Sequence, residues 1–165
     1  AILLLIGISL ACYGLGVAFV QGLIIRLHYV RNIQPQKIVI FSLVVGSLTL
    51  FGFGSIKTAW LVFALIPIAV LTELMNPTLD GFISNKVSDD TQGLLQGILS
   101  SINAITTILS PLLMTLLFKI GASQKDDWYI PGLPFYFAAI LLVICIIPIL
   151  KVMNTLEHAK KRKIK

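Results

Sequence analysis

Charged residues are scarce in this chain: Asp and Glu together number seven, and residues of either charge make up only 12%. A soluble domain of this size shows far more polar surface than that, because its outside must face water. Histidine and cysteine are also sparse, with two of each. His28 and His158 sit in separate polar segments and form no metal-ligand cluster. Cys12 and Cys145 fall inside apolar runs, where they read as small packing residues rather than a disulfide framework. The segments between the apolar runs are short, which leaves no room for a soluble catalytic domain. No enzyme chemistry, metal or cofactor is expected.

What the chain has in excess is apolar surface. Hydrophobic residues make up 57% and the mean hydropathy is +0.95, so the bilayer must act as solvent. A span needs about 20 mostly apolar residues to cross the hydrocarbon core. Five stretches qualify: 2–25, 38–56, 59–83, 93–118 and 132–150. Lipid cannot satisfy unpaired backbone groups, and no stretch shows the short alternation of a membrane barrel, so the spans are read as helices. The expected fold is an all-α integral membrane bundle, followed by a basic cytoplasmic tail over 151–165.

The net charge of +6 does not point to nucleic acid, because its placement follows the spans. Arg26, Arg31 and Lys37 follow the first span, Lys86 the third, and Lys151, Lys160, Lys161, Arg162, Lys163 and Lys165 the fifth. Lys57, Lys119 and Lys125 occupy the alternate loops, so the 13 basic residues divide 10 to 3. Basic residues are retained in the cytoplasm, which predicts a cytoplasmic C-terminus and an outside N-terminus. Trp60, Trp128 and Tyr129 then lie near outer ends, at the level of an aromatic belt. Ala1 opens inside an apolar run with no basic leader, so further helices are expected to precede it. The tail from Lys160 to Lys165 serves as a topology anchor that can also meet anionic lipid.

Between helices in lipid there is no hydrophobic attraction, so small residues mark the faces that pack closely. Gly7, Ala11, Gly14 and Ala18 form such a face in the first span, and Ser42 and Gly46 a shorter one in the second. The fifth span offers little polarity beyond Tyr136 and Cys145 and reads as a rim helix facing lipid. The third and fourth spans are different. Glu73, Asn76 and Asp80 are spaced i, i+3, i+7 along one face, with Ser84 continuing the line. Gln96, Ser100, Asn103, Thr107 and Ser110 do the same on the fourth. Two such stripes on neighbouring helices predict a water-filled cavity or a polar seam.

Glu73 lies about 3 Å along the axis from the middle of its span, by the helical rise per residue. An ionised carboxylate at that depth is costly, and intramembrane acids mark proton or ion pathways. The alternative role for Glu73 is a neutral acid hydrogen-bonded to the next helix. Asp80, nearer the cytoplasmic end, suits a cap or loop anchor equally well. Pro67 and Pro77 in the third span and Pro111 in the fourth each remove a helical hydrogen bond and predict kinks.

The segment Thr91-Gln92-Gly93-Leu94-Leu95-Gln96-Gly97, with Ser110-Pro111-Leu112-Leu113 further on, resembles the paired motifs of drug/proton antiporters of the tetracycline type in the major facilitator superfamily. Gly7 to Ala11 with Gly14, Trp60 to Phe63, and Pro77 to Gly81 are similar to further stretches of that family. The resemblance implies that the five spans are helices eight to twelve of a twelve-helix transporter. It implies two halves rocking about a central site, with the N-terminal half of the same transporter as partner and a bacterial inner membrane as its location. Gly93 and Gly97 would let the fourth span approach a neighbour, with Gln96 bonding across the junction. Glu73, Asn76 and Asn103, with Tyr13 and Gln21 from the first span and Asp80 further along, would line the path of a small molecule and a proton.

Departures from the family pattern narrow the substrate. Gly46-Ser47 stands where tetracycline antiporters carry an acid, and Ala69 to Glu73 replaces a glycine run, which introduces the acid instead. Ser110 replaces the glycine of the second motif, and the basic loop from Arg26 to Lys37 lacks the family's glycine-and-charge pattern. Tetracycline is therefore not the expected substrate. The competing reading is a non-transporting membrane scaffold that keeps the facilitator fold and holds a protein partner on its small-residue faces. Purification of the full chain in mild detergent separates the two: the transporter reading predicts substrate flux and no stable stoichiometric partner, and the scaffold reading predicts the reverse.

Overall fold

The computed structural model describes residues 2–24, 33–84, 87–123 and 129–163. Arg26, His28, Arg31, Lys86, Lys125, Trp128 and Lys165 lie outside the described residues, as do the side chains of His158 and of Lys160 to Lys163. The described chain is helical throughout: α1 (Ile2–Phe19), a π turn (Val20–Ile24), α2 (Pro35–Ser55), α3 (Ala59–Thr72), α4 (Met75–Ser84), α5 (Asp89–Gly121) and α6 (Leu133–Lys163). Five helical stretches are long and apolar enough to cross a membrane, with α3 and α4 counting as one.

Local chemistry sets the helix ends. Pro35 opens α2, where its missing N–H and fixed φ suit the first turn. Ile56 leaves the helix in an extended conformation, its N–H closing back on the Gly52 carbonyl. Ser88 precedes α5 but makes no side-chain cap, since its hydroxyl shares a hydrogen bond with Thr91 Oγ1 at 3.0 Å. The expected kinks divide by position. Pro67 and Pro111 sit inside continuous helices, whereas Pro77 follows a real break between α3 and α4.

The centre of the bundle is α2, which packs on α6, α3 and α4. Its glycines bring the neighbours close. A Cβ at Gly46 would stand 3.3 Å from Leu142 and 3.7 Å from Thr72, and one at Gly52 would stand 2.9 Å from Leu65. Val39 and Leu43 are almost fully buried against Met75, Leu79, Leu142, Ile146 and Ile149. Near the other end of α2 the Tyr136 ring lies over Gly54 and tilts against Phe51, with centroids 5.1 Å apart. Its hydroxyl shares a hydrogen bond with Ser55 at 3.0 Å. Backbone meets backbone beside it, where Gly132 lies against Gly54 so closely that a Cβ would overlap the Gly54 carbonyl.

Several expectations need correction. The fifth span exposes Ile140, Val143, Ile144 and Ile147 on one side, yet its other side makes the most extensive contact in the bundle. Residues 151–163 of the basic tail are helical and continue α6. A Cβ at Gly7 or Gly14 would meet nothing within 4 Å among the described residues; the close approach of α1 is at Gly16, where a Cβ would stand 2.8 Å from Val70. Among the described residues no side-chain hydrogen bond joins the polar stripe of α5 to the third span. This helix is held at its C-terminal end, where the Gly121 carbonyl accepts from Ile130 N–H at 2.8 Å, and none of its membrane window is buried.

A side chain at Gly132 must displace backbone rather than a flexible neighbour. Gly132→Ala is expected to cost about 1–3 kcal/mol, in the range of overpacked cores. The check is a lowered melting temperature of the full chain in detergent.

Candidate functional site

Pro77 determines where the third span breaks. Lacking an N–H, it cannot donate to the carbonyl four residues back, and its ring crowds that carbonyl, which belongs to Glu73. The chain responds with a tight turn: Glu73 N–H bonds the Val70 carbonyl at 3.1 Å and Leu74 N–H the Leu71 carbonyl at 3.4 Å. Thr78 then restarts the ladder, donating both N–H (3.3 Å) and hydroxyl (2.6 Å) to the Leu74 carbonyl. The membrane acid therefore stands at a helix discontinuity, with φ −68° and ψ −7°.

Glu73 is half-buried, and both of its oxygens are engaged. Tyr13 Oη donates to Oε1 at 2.6 Å, and Asn76 Nδ2 donates to Oε2 at 3.3 Å. The tyrosine reaches it because Gly16, one turn on, lets α1 lie against Val70. Tyr13 and Val17 pack there on the buried cluster of Val20, Ile66, Val70 and Leu74. A carboxylate offers about four lone-pair positions, of which two donors fill two. No basic side chain pairs with Glu73 among the described residues. Such a group can take up a proton or face a cation.

Of the candidates read from the sequence, the fold brings together Tyr13, Glu73 and Asn76. Asp80 is exposed on α4 about two turns beyond Glu73, and Gln21 is exposed in the π turn after α1. Asn103 is exposed on α5, where its carbonyl accepts from the hydroxyls of Thr106 and Thr107. No side-chain hydrogen bond links Gln21, Asp80 or Asn103 to the Glu73 cluster among the described residues. Gln96 and Pro111 are exposed, and a Cβ at Gly93 or Gly97 would meet open space.

Sequence reasoning missed the role of Gly16, which no repeat of small residues had marked. Ser42, read as a packing residue, is buried, and its hydroxyl has no hydrogen-bond partner among the described residues.

An acid at a broken helix, inside a bundle of membrane-length helices, defines a multi-pass membrane protein with an ionisable group within its span. The Major Facilitator Superfamily model matches residues 3–165. The chain belongs to that superfamily. Tetracycline resistance protein, class E, from Escherichia coli is 27% identical over 140 residues, covering 84% of this chain and 34% of the relative. The class B protein from Escherichia coli is 30% identical over 146 residues, covering 84% and 35%. Hippocampus abundant transcript-like protein 1 from Mus musculus is 29% identical over 107 residues, covering 56% and 21%. The chain thus spans about a third of the length of the tetracycline resistance relatives. No solved structure matches it significantly.

The tie between Tyr13 and Glu73 is testable by a double-mutant cycle on thermal stability. Tyr13→Phe and Glu73→Gln are expected to be coupled by about 0.5–2 kcal/mol, as hydrogen bonds between membrane helices and to charged groups suggest. Strict additivity would show that the bond contributes nothing.

Proposed function

We propose that this chain forms helices eight to twelve of a secondary transporter that moves a small molecule across the membrane by alternating access, driven by protons in the direction of efflux. The observation that carries the reading is Glu73 at the α3–α4 break, held by Tyr13 from α1 and by Asn76 from α4. Broken membrane helices recur at the ion and substrate sites of secondary transporters, because the break exposes polar groups at depth. An intramembrane acid without a basic partner is suited to exchange a proton. The names of the tetracycline resistance relatives favour outward movement of a foreign compound.

In this reading Glu73 carries the proton, and Tyr13 and Asn76 orient it. Asn103, Gln21 and Asp80 line the path at greater distance, with Asn103 on a face of α5 that the rest of the transporter covers. Gly93, Gln96, Gly97 and Pro111 on α5 meet the N-terminal half, whose helices would fill the space beside the two glycines. The C-terminus lies in the cytoplasm, with the protein in a bacterial inner membrane.

Glu73→Gln keeps the shape of the side chain while removing its negative charge and replacing one of its two acceptor oxygens with a donor. Measured in proteoliposomes carrying the complete transporter under an imposed pH gradient, it is expected to reduce proton-driven flux at least about tenfold, the lower range of a single acid–base group's contribution. Unchanged flux with unchanged pH dependence would remove Glu73 from the mechanism.

A further inference from the structure

A groove with a volume of about 420 Å³ lies where α2 begins. Ile33, Lys37, Ile38 and Phe41 line it from the side of α2, and Leu74 lines it from the turn between α3 and α4. Lys37 is the one charged residue of that lining among the described residues, and it is exposed. It pairs with no carboxylate among the described residues, since Glu73, next to Leu74 in the chain, is bonded by Tyr13 and Asn76. Lys37 also stands at the less favourable end of its helix. A first turn presents amide N–H groups without helical acceptors and the positive end of the dipole, so it prefers an anion to a cation. Nothing in α2 offsets this charge: its first turn holds no acidic residue, and Gln34 at the cap makes no side-chain hydrogen bond. An unpaired ammonium beside an uncapped helix N-terminus selects for an anion.

The charged and apolar parts of the groove are ordered along α2. Lys37 is the third residue of the span Pro35–Ser55, about 3 Å inside its end, at a depth from which a lysine reaches the headgroups. Phe41 stands one turn deeper, about 6 Å further in, and Leu74 belongs to the buried cluster on which Ile38 packs. We propose that this groove binds one anionic phospholipid, with its phosphate at Lys37 and the start of α2 and an acyl chain along Ile38, Phe41 and Leu74. The order of charge and apolar wall matches that of the lipid. A free anion would make no use of the apolar wall, and a lipid without net charge would leave the ammonium unpaired. The single turn from Lys37 to Phe41 is too short to seat a partner helix. The proposal goes beyond the transport reading and does not depend on the titration of Glu73. In the orientation proposed above, the lipid belongs to the cytoplasmic leaflet, whose surface is negative.

The test places the photoreactive p-benzoylphenylalanine at Phe41, which is 52% exposed, in the complete transporter purified and delipidated in detergent. The protein is titrated with dioleoyl phosphatidylglycerol or dioleoyl phosphatidylcholine and irradiated, and the lipid adduct on the peptide carrying position 41 is measured by mass spectrometry. The readout therefore reports this groove and no other lipid site. Half-saturation by phosphatidylglycerol is expected at about fivefold lower concentration than by phosphatidylcholine, the gain from one basic contact at a membrane surface. Lys37→Gln is expected to abolish that difference, and Lys37→Arg, which keeps the charge, to preserve it. Glycerol 3-phosphate, which carries the phosphate without the chains, is expected not to compete. Equal half-saturation by the two lipids, a preference that survives Lys37→Gln, or one lost equally in Lys37→Arg would overturn the proposal. An adduct to protein in place of lipid would show a protein partner or a second copy on this face. Competition by glycerol 3-phosphate at the concentration of the lipid would show a free-anion site. Either result, or the absence of a saturable adduct, would remove the lipid.

Discussion

A proline cannot donate the hydrogen bond that the carbonyl four residues before it requires, and at Pro77 that carbonyl belongs to Glu73. The only carboxylic acid in the middle of a span and the only break in a span among the described residues therefore coincide. The consequences spread outward from this point. The turn over Glu73 and Leu74 re-aims the helix, α4 packs its Met75 and Leu79 on α2, and Leu74 remains in the cluster that receives α1. Had Pro67 been the breaking residue, the discontinuity would have fallen at Phe63, with no polar group to use it.

The bundle divides its small residues between two tasks. Those of α2 at Gly46, Gly52 and Gly54 are filled by Leu142, Thr72, Leu65 and Tyr136, and they hold α2 at the centre. Those of α5 at Gly93 and Gly97, and of α1 at Gly7 and Gly14, stand open. In lipid an unfilled glycine face gains nothing by itself, since van der Waals contact is the main attraction between helices. The filled set holds α3 and α6 against α2, whereas the open set meets nothing within 4 Å among the described residues.

Much of this was legible in the sequence, because hydropathy and span length act directly on the backbone's need for internal hydrogen bonds. The five spans were readable for that reason, as was the shared face of Glu73 and Asn76, which follows from helical geometry alone. The family resemblance was also readable from the Thr91–Gly97 segment. What escaped was pairwise. The preference for Gly16 over Gly7 and Gly14 depends on which helix α1 meets, and that is decided by the shapes of Val70 and Ile66 on another span. The separation of the α5 stripe from the third span escaped for a like reason, since periodicity shows that a face is polar but not what stands opposite. Proline position was undecidable without knowing which freed carbonyl the surrounding helices would tolerate.

The length of α5 has a consequence of its own. At about 1.5 Å per residue, the helix from Asp89 to Gly121 measures about 50 Å, well beyond the roughly 30 Å of hydrocarbon it must cross. Tilting absorbs only part of that excess. Its C-terminal end is fixed to α6, so the surplus falls at the other, more polar end, where Asp90, Thr91, Gln92 and Gln96 gather. A surplus at that end would raise the Thr91–Gly97 segment to the level of the lipid headgroups. Water there would compete for every hydrogen bond that Gln96 could form, and a neighbour meeting this segment would have to be held by the fit of its surface against bare glycine backbone.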